Sequence, residues 1–262
     1  MEGRATCCGA LPFVGTVTNV DFERTVIPLM ATRPETGQTL YGSGFLVAVD
    51  GQLFLATVAH LADYDLAPRS EWQLWSSEIF LADTAEIDSE VGLPKRLASF
   101  ELFIEGHKGK RVPRFRYVLR QDRPGTIADI VLIPVQQGDL VTHTYATFDL
   151  PQGKGDHQPG AVVTQLGRRS EFPALSVTEH VSTDHAGPVR FMKPEGQEGD
   201  SGGPVLNAAG LLVGMNVGSH KQRLDEAMLM SPEAIESVSK AVRGVAVDWP
   251  DFEPAGAPSA GT

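Results

Sequence analysis

The sequence predicts an all-β fold, and three observations carry that expectation. Short runs rich in β-branched and aromatic residues recur along the chain, turn dipeptides such as Asp50-Gly51, Pro124-Gly125 and Ala209-Gly210 separate them, and only one late segment has helical periodicity. The spacing suits barrels or sandwiches rather than alternating strand and helix units. The first run, 26–31, is followed by a pair at 44–49 and 53–59 that flanks Asp50-Gly51, a hairpin signal. Runs at 100–103, 115–119 and 130–135 complete the first half. In the second half the runs are 161–166, 205–206, 211–217 and 227–230, with Ala209-Gly210 as another hairpin turn. Ser231-Pro232 then offers an N-cap and a first-turn proline, with Ile235, Val238 and Val242 on one face, so a helix is expected over 231–243.

The organisation follows from these runs. Residues 1–25 read as an N-terminal arm, 26–145 and 161–230 as two similar halves, 146–160 as the linker, and 244–262, rich in Pro, Gly and Ala, as a disordered tail. The same offset separates Gly44 from Gly203 and Gly51 from Gly210, each pair marking a strand, a glycine turn and a second strand. Residues 84–92 are acidic and read as a solvated loop. Lys108, Lys110, Arg111, Arg114, Arg116 and Arg120, with Phe115 and Tyr117 between them, read as a half-exposed strand rather than a nucleic-acid surface.

Composition narrows the function. The 262 residues are 42% hydrophobic and 21% charged, as in ordinary globular domains, which excludes collagen, coiled coil and wholesale disorder. The formal charge of −11 removes any whole-molecule attraction to nucleic acid or anionic lipid. No run approaches the ~18 apolar residues of a membrane helix, so neither a nucleic acid nor a membrane is expected as a partner. The two cysteines, Cys7 and Cys8, are neighbours and cannot tie distant segments together. With no basic and long apolar leader at the start, a reducing, cytoplasmic location is expected.

The chemistry concentrates in Gly199-Asp200-Ser201-Gly202-Gly203-Pro204. A hydroxyl nucleophile needs a tight turn that exposes it, small neighbours that admit a substrate carbonyl, and backbone N–H groups aimed at the developing oxyanion. The string also fits the nucleophile elbow of α/β-hydrolases, Gly-x-Ser-x-Gly. That reading requires an acid and then a histidine downstream, yet residues 202–219 hold no Asp or Glu and the only later histidine is His220. Upstream, His60 ends an apolar run and Asp129 begins another. A histidine takes the serine proton and returns it to the leaving amine, and a carboxylate fixes the imidazole tautomer and stabilises the cation that forms. Asp63, three residues past His60, competes with Asp129 for that role.

The order His60, Asp129, Ser201 and three blocks resemble the chymotrypsin-like (trypsin-like) serine peptidases, particularly the disulfide-free bacterial domains related to the HtrA group. The blocks are Thr57-Val58-Ala59-His60, Asp129-Ile130-Val131-Leu132-Ile133 and 199–204. The Asp129 block fits the family and Asp63 fits no block. The resemblance implies two antiparallel six-stranded β-barrels, the first at 26–145 and the second at 161–230, with the active site between them and the helix packed outside. It implies a serine endopeptidase with Ser201 as nucleophile, His60 as base, Asp129 as orienting acid and the N–H groups of Gly199 and Ser201 as oxyanion hole, acting on a protein or peptide substrate. It also implies Glu195 at the pocket floor, with Asn216 and Gly218 on the opposite wall. Lys193 is near enough in sequence to neutralise Glu195, so cleavage after basic residues and after small or medium apolar residues both stay open. Asp200 calls for a partner: a Lys or Arg side chain, backbone donors, or an ordering step on activation. A catalytically idle peptide-binding module and an esterase with the same triad are the alternative functions. No cofactor and no metal are expected, because His107, His143, His157, His180, His185 and His220 lack ligand spacing.

Overall fold

A computed structural model describes residues 20–63, 66, 72–150, 152–168, 172–220, 223–242 and 244–247. Cys7, Cys8, most of the expected arm and tail residues 248–262 lie outside that set. The N-terminal half contributes β1 (Ile27–Thr32), β2 (Thr39–Val49), β3 (Gln52–Thr57), β4 (Glu78–Asp88), β5 (Leu93–Glu101), β6 (Phe103–Glu105), β7 (Arg111–Pro113), β8 (Leu119–Arg120), β9 (Val131–Pro134), a short helix α1 (Leu140–Thr144) and β10 (Thr147–Leu150). The C-terminal half contributes β11 (Val162–Gly167), β12 (Ser176–Ala186), β13 (Val189–Lys193), β14 (Pro204–Leu206), β15 (Leu212–His220) and β16 (Arg223–Met230), followed by α2 (Pro232–Lys240) and β17 (Ala246–Val247).

The C-terminal half closes as a six-stranded barrel in the order β11-β12-β13-β16-β15-β14. In the N-terminal half the ladder runs β5-β4-β1-β2-β3-β9, and β10 adds a seventh strand. The extra strand has a physical cause. β2 pairs with β1 only as far as Gly44, and its continuation over 46–49 presents a bare edge that β10 covers in parallel. Part of the expected linker, 147–150, is therefore sheet. The expected acidic loop is likewise largely strand: β4 runs to Asp88 before the chain turns into β5.

The two hairpins with matched glycines are both present. Gly51 turns β2 into β3 and Gly210 turns β14 into β15, each with a positive φ. Between 114 and 117 the expected strand is reduced to a single bridge, Arg116 to Leu132. Here tertiary packing dominates: Phe115 is fully buried, stacked on Trp75 at 5.4 Å and edge-on to Trp72 at 5.8 Å and Phe103 at 5.7 Å. This aromatic cluster underlies the segment that leads to Asp129.

Helix α2 starts as expected, with the Ser231 hydroxyl accepting from Ala234 N at 3.2 Å and Pro232 in its first turn. Ile235 and Val238 are buried, whereas Val242 lies past the helix end and is 79% exposed. The helix packs against β9 and β15, so it spans both halves. No helix of the described residues is long and apolar enough to cross a membrane.

Candidate active site

His60 sits in a 3₁₀ turn, Ala59–Leu61, immediately after β3, and its two neighbours in the turn are buried. Packing thus fixes the backbone while the imidazole stays 19% exposed. Asp129, just before β9, is fully buried. Its Oδ2 lies 2.6 Å from His60 Nδ1, and its Oδ1 accepts the His60 backbone N–H at 2.9 Å. A buried carboxylate is tolerated only when its lone pairs are taken up, and this one holds both the ring and the main chain of the same residue. Asp63 also lines the cleft, but the imidazole Nδ1 is directed to Asp129.

The loop 199–204 is built by contact with the N-terminal half. Ser43 N donates to the Ser201 carbonyl at 2.9 Å, and the Ser43 hydroxyl donates to the Gly199 carbonyl at 2.9 Å. The same hydroxyl accepts from Arg168 N at 2.9 Å, and Thr57 Oγ1 donates to the Ser43 carbonyl at 2.7 Å. Gly202 has φ +85°, and a Cβ there would stand 2.0 Å from the Ser43 carbonyl oxygen, so glycine is the only residue the position admits. Gly202 N donates to the Asn216 carbonyl at 2.7 Å, tying the loop to β15. Ser43 was missed by sequence reasoning, because a serine inside an apolar strand carries no motif. Its one signal is its position between Gly42 and Gly44, immediately before the run 44–49.

Ser201 is half-buried and lines, with His60, a cleft of about 950 Å³ between the halves. Among the described residues no hydrogen bond joins its hydroxyl to the imidazole, and the N–H groups of Gly199 and Ser201 donate to no other group. Asp200 is buried and its Oδ2 accepts Gln197 N at 2.9 Å, so backbone donors serve at least one of its oxygens.

The pocket residues depart from expectation. Glu195 lines the cleft but is exposed at its lip rather than buried as a floor, because the segment 193–198 runs along the surface. Lys193 pairs with Glu226 at 3.6 Å. Asn216 is 1% exposed, and its Oδ1 accepts Gly218 N at 3.0 Å, so that N–H is engaged within the chain. Among the described residues, Glu35, Asp63, Glu195 and Glu198 line the cleft against a single guanidinium, Arg33, giving that lining an acidic character. Among the described residues no group of three His, Cys, Asp or Glu side chains could hold a metal ion.

Comparison with known proteins gives no matching family model and no matching curated relative. Solved structures do match. The Rv3671c protease of M. tuberculosis in its active form superposes with a TM-score of 0.52 at 16% identity, covering 86% of this chain and 84% of that one. The serine endoprotease of Yersinia pestis gives 0.49 at 13% identity, covering 85% of this chain and 66% of that one. The HtrA-type protease AlgW, solved with a tripeptide, gives 0.46 at 15% identity, covering 84% and 62%. With its closed C-terminal barrel, its second sheet and the cleft between them, the chain has the chymotrypsin-like fold of the trypsin-like serine proteases.

Proposed function

We propose that the chain is a serine endopeptidase. The observation that carries the reading is the Asp129 carboxylate on His60 Nδ1 at 2.6 Å, in the cleft that Ser201 also lines. With Nδ1 directed to Asp129, Nε2 is the ring nitrogen left to act as base. Ser201 Oγ attacks the peptide carbonyl carbon as its proton passes to Nε2. The carbonyl oxygen becomes an oxyanion that the N–H groups of Gly199 and Ser201 receive. Collapse breaks the C–N bond, the amine leaves with the proton from His60, and water repeats the sequence on the acyl-enzyme. Asp129 stabilises the imidazolium that forms. The separation of Ser201 and His60 in the free chain is compatible with this, since catalytic hydrogen bonds often tighten only when substrate is bound.

The test is covalent labelling with a fluorophosphonate probe, comparing the native chain with Ser201→Ala. Labelling of the native chain alone, with peptide turnover that the variant loses, supports the reading. Cleavage by Ser201→Ala at the native rate would sink it. Ester turnover without peptide turnover would make the chain an esterase. A cytoplasmic location belongs to the same proposal, and the cysteine usage supports it.

A further inference from the structure

The end of β11 abuts the candidate nucleophile loop at three consecutive residues. A Cβ on Gly203 would stand 2.0 Å from the Leu166 carbonyl oxygen, and one on Gly167 would stand 2.3 Å from Asp200 Oδ1. Arg168 follows, and its N–H donates to Ser43 Oγ at 2.9 Å. The pairing of β11 with β12 ends at Gly167 opposite Ser176, so Arg168 lies just past the ladder and its side chain anchors it.

That side chain is a guanidinium only 1% exposed. A buried cation is tolerated only with acceptors around it. Nη1 donates to the Pro173 carbonyl at 3.0 Å, and Nη2 donates to the Glu23 carbonyl at 3.2 Å, the Val26 carbonyl at 3.0 Å and Glu23 Oε2 at 2.9 Å. Three of these acceptors belong to the stretch leading into β1. That stretch is itself fixed to the N-terminal half, since Arg24 Nε donates to the Thr144 carbonyl at 3.0 Å and Ala146 N donates to the Arg24 carbonyl at 2.6 Å. The planar fork therefore clamps the start of the β11–β12 connection to the chain ahead of β1.

We propose that Arg168 is a positioning residue for the oxyanion hole: clamped by its guanidinium, it presents its N–H to Ser43 Oγ and so commits the Ser43 proton to the Gly199 carbonyl. A serine hydroxyl carries one proton and rotates to suit its partners. With the Arg168 N–H occupying one lone pair of Oγ, the proton goes to the other partner, the Gly199 carbonyl at 2.9 Å. Each bond of such a chain polarises the next. Holding that carbonyl fixes the Gly199–Asp200 peptide, which lies between the two N–H groups assigned to the oxyanion. Arg168 acts through Ser43 and touches no reacting atom. The inference rests on the peptidase reading above, because the loop it positions is the oxyanion hole of that reading.

The first measurement requires no activity. Hydrogen–deuterium exchange is followed in the native chain and in Arg168→Met, which keeps an unbranched apolar stem and removes the donors. Asp200, Gly202 and Gly203 donate their N–H groups to carbonyls in the native chain, so their exchange reports opening of the loop. It is expected to quicken at least about tenfold, as the loss of one or more buried hydrogen bonds implies, while exchange in α2 stays as it was. The second measurement is turnover, with the rate of fluorophosphonate labelling beside it. Both kcat and labelling should fall about tenfold with KM within about twofold, and Arg168→Met should cost little more once Ser43→Ala is present, because residues acting as one unit are not additive. Where Arg168→Met does not fold, Arg168→Lys is read in the same way, since a single ammonium keeps the charge without the fork. Unchanged exchange in the loop, an equal rise in the loop and α2, or losses that add to those of Ser43→Ala overturn the proposal. The peptidase reading is judged apart from it. A native chain that neither labels nor cleaves loses that reading while exchange still decides the link from Arg168 to the loop, and one that cleaves equally well with Arg168→Met keeps the reading and loses the link.

Discussion

At His60 one carboxylate performs two tasks, holding the ring nitrogen and the main-chain N–H of the same residue. Rotation of the imidazole and movement of its turn are therefore restrained together. Asp129→Asn preserves the shape but lets the imidazole adopt the wrong tautomer, and kcat should fall by about 10⁴ at neutral pH with little change in stability. Asp63→Asn should cost far less, because Asp63 does not contact Nδ1. Steady-state kinetics of the two variants side by side check the assignment, and a larger loss from Asp63→Asn would reverse it.

At the scale of elements, the nucleophile loop belongs to the C-terminal half yet takes its shape from β2 of the other. The Ser43 hydroxyl bridges the Gly199 carbonyl and Arg168 N, two groups buried where water cannot replace it. Ser43→Ala orphans both and should destabilise the fold by about 1–3 kcal/mol, as bare buried polar groups do. It should also lower kcat, because the Gly199 peptide would no longer be held in place. Denaturant unfolding and turnover measured on the same preparation test the coupling. A second element-scale prediction concerns β8. Arg120 is buried there and donates to Asp122 through Nε at 3.0 Å and through a second, shorter bond. Hydrogen bonding from that guanidinium holds the Asp122 carboxyl below its ordinary range. The carboxylate therefore contributes stability above the pKa it has when unfolded, about 3.9, and this is lost as pH falls through its lower folded value. Asp122→Asn should be less stable than the native chain at pH 7, and the gap in Tm should narrow as pH is taken below about 4.

For the whole molecule, the charge of −11 is reinforced in the cleft, where among the described residues four carboxylates face one guanidinium. Lysine or arginine flanking the scissile bond should speed encounter, and salt should weaken the effect because the Debye length shrinks to a few ångströms. Between about 0.05 and about 0.5 M salt, kcat/KM for peptides with flanking cations should fall severalfold while neutral peptides change little. Equal salt dependence for both would remove the field from the account.

What the sequence determined by itself was whatever rests on local chemistry. Turn glycines with strands on both sides placed the hairpins at Gly51 and Gly210, Ser231-Pro232 placed the start of α2, and the motifs around His60, Asp129 and Ser201 brought out the candidate catalytic residues. Tertiary structure decided what depends on contacts between distant segments. β10 was read as linker because its pairing with β2 is parallel and has no local signal. Residues 84–88 were read as loop because strand pairing to β5 overrides an acidic composition on a solvent-facing hairpin. Glu195 was placed in a buried floor by its offset from Ser201, but where a side chain lies in a surface segment depends on what that segment packs against. Ser43, Arg168 and Asn216 show the same limit from inside. Whether a buried polar side chain is satisfied, bridging or bare is set by neighbours more than a hundred residues away in the case of Ser43, and only the folded chain brings those neighbours together.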